Sequence, residues 1–157
     1  MLDIKYEKRR RLRDSNCDVI LTLAGTYTKM DGNINKVFDM LHPELYYNIN
    51  TKREEDRLCV GSCMIIRLDD KKYYVIMFPT TFDLDKNKGC IFDKLDKDMV
   101  YNTFVNTYEI LKNLGLDKLK MGAFLNFGVV NREWAESVKA IASSVFISCD
   151  FTFYKKL

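Results

Sequence analysis

The C-terminal stretch Lys118–Leu157 reads KLKMGAFLNFGVVNREWAESVKAIASSVFISCDFTFYKKL, and its changes of period decide the fold. From Lys118 to Leu125 the apolar side chains fall on alternate positions (Leu119, Met121, Ala123, Leu125), the period of a strand with one buried face. A polar, glycine-bearing break follows at Asn126-Phe127-Gly128. Beyond it the apolar spacing lengthens to Trp134, Val138, Ile141 and Val145, which predicts a helix with one face turned inward. A second alternating run, Ile147–Tyr154, predicts another strand.

Strand, short loop, helix and strand form a crossover unit, two parallel neighbours covered by a helix. Open sheets of this kind hold ligands in the crevice beyond the carboxyl ends of their strands. The loop Asn126–Asn131 is therefore expected to line a site. Its backbone N–H groups, with those of the first turn of the following helix, suit an anion such as a phosphate.

Working back towards the N-terminus, Asp96 or Asp98 can cap a helix that turns Val100, Phe104, Tyr108 and Leu111 inward, with Gly115 suited to its C-terminal turn. Leu58–Leu68 and Lys72–Phe78 are β-rich runs around Asp69-Asp70-Lys71, a hairpin signal, and Pro79 is expected to end the second run. Thr80-Thr81-Phe82 should then emerge from the sheet, ahead of a charged loop at Asp83–Asp93.

Cys17–Ala24 is almost continuously apolar, as in a central strand covered on both sides. After it, Gly25–Asn33 reads as a loop, and Asn33 caps a helix (Ile34, Val37, Phe38, Leu41) that Pro43 stops. This second strand–loop–helix passage resembles the first, so two loops on one rim could clasp a diphosphate. Leu2, Ile4 and Tyr6 alternate with charged residues as a short first strand, and Glu44–Asp56 reads as an irregular connection. The sum is about six strands and three helices in α/β alternation.

Composition narrows the function classes. With 157 residues, 47% of them hydrophobic, the chain suits one globular domain, residues 1–157. No apolar run has membrane-spanning length and Met1–Asp14 is charged, so a cytoplasmic location without membrane contact is expected. The five cysteines (Cys17, Cys59, Cys63, Cys90, Cys149) are scattered, without C-x-x-C, and read as reduced, buried thiols.

The single histidine, His42, lies beside Pro43, away from any nucleophile motif, so neither a metal site nor Ser-His chemistry is expected, and no cofactor. A net charge of +3 does not specify nucleic acid as the primary partner. The basic run Lys8–Arg13 reads as a solvated loop before it reads as a phosphate contact.

Together these loops resemble a macrodomain, the three-layer α/β/α fold with a mixed sheet and helices on both faces that binds ADP-ribose. They are most similar to the branch of the terminal ADP-ribose glycohydrolase and its phage and bacterial relatives. In that branch a strand ending in M-P-R-I-G-C-G-L-D precedes a tryptophan, a helix closing in V-F and a last strand of the I-T-V-Y type. Here the corresponding residues are Met121–Val130, Trp134, Val145-Phe146 and Phe151–Tyr154, with a one-residue shift in the strand. The family's M-G-x-G-I-A loop is similar to Met30–Asn35, and its N-L-x-T-K/Q strand end to Met77–Thr81.

The resemblance implies a ligand site at Thr26, Asp31, Gly32, Asn33, Ile34, Thr80, Thr81, Asn126, Phe127, Gly128, Val129 and Val130, with Phe127 or Phe82 stacking on a ring. It also implies loss of turnover. The lysine that forms the covalent adduct in the glycohydrolase falls at Thr81, and its partner acid at Val130. Threonine forms no Schiff base and valine moves no proton, so no catalytic residue is assigned.

Asp31, Asn33 and Asn126 stand where the family has glycines, and Glu7-Lys8 where it has the adenine-reading G-D pair. The resemblance thus implies binding of ADP-ribose or a related NAD-derived nucleotide without turnover. A phage counter-defence role against ADP-ribosylation, in the host cytoplasm, is one setting for it.

Two alternatives stand beside that reading. One is a protein-interaction module that has lost its pocket and meets a host protein, such as an ADP-ribosylating toxin, through Tyr46, Tyr47 and the basic run. The other is an ADP-ribosyl hydrolase using groups foreign to the family, with Asp31 or Asp83 as base and Thr80 or Thr81 positioning the substrate.

Overall fold

A computed structural model of the chain describes residues 6–7, 17–25, 59–67, 72–80, 96–124 and 132–154. Its elements in chain order are β1 (Tyr6–Glu7), β2 (Val19–Gly25), β3 (Cys63–Arg67), β4 (Tyr73–Thr80), α1 (Lys97–Asn113), β5 (Met121–Phe124), α2 (Arg132–Val145) and β6 (Phe151–Tyr154). The strands form one six-stranded sheet in the order β1-β6-β5-β2-β4-β3. Every neighbouring pair is parallel except the β3–β4 hairpin.

The apolar alternation read from the sequence becomes the sheet's two faces. Val19, Leu21 and Leu23 of β2 lie level with Val75 and Met77 of β4 and with Met121 and Ala123 of β5. Phe151 and Phe153 continue the row on β6. These side chains form a core with Val100, Phe104 and Leu111 of α1, Val138 and Ala142 of α2, and Phe146 just beyond it.

On the opposite face Ile20, Thr22, Met64, Tyr74, Ile76 and Phe78 are also buried, with the Tyr74 hydroxyl donating to Thr22 Oγ1 at 3.3 Å. The sheet is thus buried on both faces, which is why β2 and β4 read as apolar runs rather than as alternating strands.

α1 begins and ends as its residues dictate. The Asp96 carboxylate accepts the Asp98 amide at 2.9 Å, and Asp98 adds negative charge to the first turn. Two threonines reach the buried face because their hydroxyls bond within the helix, Thr103 to the Met99 carbonyl and Thr107 to the Thr103 carbonyl.

At the C-terminus Gly115 takes a φ of +74°, its amide donates to the Lys112 carbonyl at 3.0 Å, and the Leu116 amide returns to Leu111 at 2.9 Å. This is a Schellman turn, and Leu116 closes it by entering the core. A methyl group at Gly115 would meet nothing within 4 Å, so Gly115→Ala isolates the backbone cost of the left-handed conformation. G115A is expected to lower unfolding stability by about 1 kcal/mol in urea titration. An unchanged midpoint would show that the turn tolerates another geometry.

Three expectations are corrected. Pro79 does not end β4, which runs to Thr80. Between the pairs Leu23–Met77 and Gly25–Thr80, β4 sets Phe78 and Pro79 against Ala24 alone, a bulge. The Phe78 amide and carbonyl are taken by Ser62 and Gly61, at 3.0 and 2.7 Å, and the proline sits in the bulge, where a missing N–H costs little.

Nor does β6 begin at Ile147. The Phe146 amide still donates to Ala142 and the Cys149 amide closes a turn on Phe146, leaving Ile147 61% exposed and the strand to start at Phe151. Likewise β5 starts at Met121, with 117–119 in turns. The helix expected between Asn33 and Pro43 and the loops expected at 26–33, 83–93 and 126–131 lie outside the described residues.

Candidate functional site

Because β2, β4, β5 and β6 are parallel, their carboxyl ends, Gly25, Thr80, Phe124 and Tyr154, leave the sheet at one rim. Strand order then places the crevice. From β5 the chain crosses through α2 to β6, on the side away from β2, whereas from β2 it proceeds to β3 and β4 on the other side. Adjacent strands β5 and β2 thus send their following segments in opposite directions, the switch point at which open α/β sheets take ligands. α2 follows β5 in the chain and begins at Arg132; the first turn of a helix presents amides that have no partner within the helix.

Of the site residues expected from the sequence, Thr80 alone is among the described residues. It is buried at the end of β4, paired in register with Gly25. Thr26, Asp31, Gly32, Asn33, Ile34, Thr81, Phe82 and Asp83 lie outside them, as do Asn126, Phe127, Gly128, Val129 and Val130. What the structure brings together is the set of strand ends from which those residues issue. The register pairs Phe124, the last residue of β5, with Thr22, and β2 runs on to Gly25 beside Thr80 before its following segment begins.

Sequence reasoning missed that Pro79 is absorbed in a bulge which delivers Thr80 beside Gly25. A proline one residue before a threonine at a strand end gives no signal of it, because the bulge exists only in the pairing with β2.

Cys17 and Cys149 are buried, Cys63 is half-buried, and no disulfide joins them or Cys59. Cys59 departs from the expectation of a buried thiol: it precedes the Val60–Ser62 turn and is exposed, its carbonyl accepting the Ser62 hydroxyl at 2.5 Å. Burial pushes the Cys63 thiol up, opposed by a hydrogen bond with Thr107. Burial also raises Cys149, with Ser148 and Lys118 opposing and Asp117 adding to the rise.

A thiol whose folded pKa lies above its unfolded value stabilises the fold fully below the unfolded pKa and loses that contribution as pH rises through the folded one. Stability is therefore expected to fall above about pH 8.5, less steeply in Cys63→Ala. In the native protein at pH 8, iodoacetamide followed by peptide mass spectrometry should label Cys59 well before Cys63, Cys149 and Cys17. Equal rates would contradict the burial. Among the described residues no group of three or more His, Cys, Asp or Glu is placed to hold a metal ion, and no helix is long and apolar enough to cross a membrane.

A mixed, largely parallel sheet buried on both faces, whose strand order reverses direction between β5 and β2, defines an open α/β architecture. Comparison with known structures gives that fold its name. The macrodomain of Mycobacterium tuberculosis DarG superposes with a TM-score of 0.74 at 13% identity, covering 97% of both chains. The macrodomain of Thermus aquaticus DarG gives 0.70 at 10% identity, covering 100% of this chain and 99% of that one.

Thermosipho africanus DarTG in complex with ADP-ribose gives 0.69 at 12% identity, over 91% of this chain and 39% of the larger one. No protein-family model and no curated protein sequence matches. The chain has the macrodomain fold.

Proposed function

We propose that this chain is a macrodomain that binds ADP-ribose, or a related NAD-derived nucleotide, at the carboxyl rim between β2 and β5 and does not turn it over. The observation that carries this is the rim itself: β5 and β2 lie side by side, in register, and their following segments diverge. The likeness in fold to an ADP-ribose-bound structure supports the choice of ligand. In this reading the backbone of residues 26–33 and 126–130 holds the diphosphate, Thr80 and Thr81 border it, and Phe127 or Phe82 stacks on a ring. Absence of turnover rests on Thr81 and Val130, which offer neither a Schiff-base amine nor a proton-transfer group.

Calorimetric titration with ADP-ribose, NAD and cyclic ADP-ribose tests the binding, and incubation with an ADP-ribosylated protein or DNA tests the chemistry. Saturable heat with ADP-ribose and no release of ADP-ribose from either substrate is the expected result. Silence from all three nucleotides would overturn the ligand, and catalytic release would overturn the claim of inactivity.

A further inference from the structure

We draw no further inference here: the strongest candidate, the open groove between the Val60–Ser62 turn and the outer face of α1 at Asn106, Glu109 and Ile110, carries nothing because nothing in the structure shows what covers it.

Discussion

Replacing Phe146 by alanine is expected to destabilise the protein by about 3–5 kcal/mol, the largest effect of any single core truncation among the described residues. Phe146 is fully buried. Its ring stacks on Phe151 with centroids 5.1 Å apart, and packs against Phe104 at 6.0 Å and Tyr108 at 6.1 Å. One side chain therefore ties the end of α2 to β6 and to α1.

Truncation removes the transfer energy of the ring and leaves a cavity walled by elements that the sheet register holds in place, so little collapse can offset it. It also removes three aromatic contacts, each worth about 0.5–1.5 kcal/mol beyond area burial. Urea unfolding of F146A beside F146L measures it. The leucine variant should retain a substantial part of the stability, and a loss below about 1.5 kcal/mol for alanine would show that the cluster is not a keystone of the core.

The largest functional effect is expected from Gly128→Asp, which should weaken ADP-ribose binding at least tenfold while leaving the thermal midpoint within a degree or two. Gly128 follows β5 in the chain, outside the described residues, and belongs to the proposed site. In the proposed mode of binding, a Cβ there would stand between backbone and ligand. A carboxylate about 5 Å from a diphosphate charge costs roughly 3 kcal/mol at an effective dielectric of 20, where 1.4 kcal/mol is already tenfold.

Asp31→Gly is the reciprocal change: it removes a like charge from the other loop and should tighten binding. Titrating wild type first separates two failures. If wild type binds and G128D binds equally well, the nucleotide sits elsewhere. If wild type does not bind, the proposed ligand itself is wrong.

Legibility varied from element to element, for physical reasons. The crossover unit at the C-terminus was readable because Met121 and Ala123, and then Val138 and Ile141, carry their burial in their spacing. The cap at Asp96 and the turn at Gly115 were readable because each needs a particular residue type within one turn of backbone. Ile147 misled: its alternation with Cys149, Phe151 and Phe153 mimics a strand, yet the turn amides at Phe146 and Cys149 hold it out in solvent. Pro79 misled for a related reason, since the rule against proline in strands assumes a ladder position, and the register with β2 supplies a bulge instead.

By itself the sequence determined the kinds and order of the described elements and their apolar faces, because those depend on the period of side chains along a local backbone. It also determined that Thr81 and Val130 lack the groups for Schiff-base or proton-transfer chemistry, since that follows from side-chain identity. Only the tertiary structure decided that β2 lies between β5 and β4, that β1 joins the far edge beside β6, and that the ends of β2 and β5 share one rim. Strand order arises from contacts between residues distant in the chain, and no local period encodes which strand becomes whose neighbour.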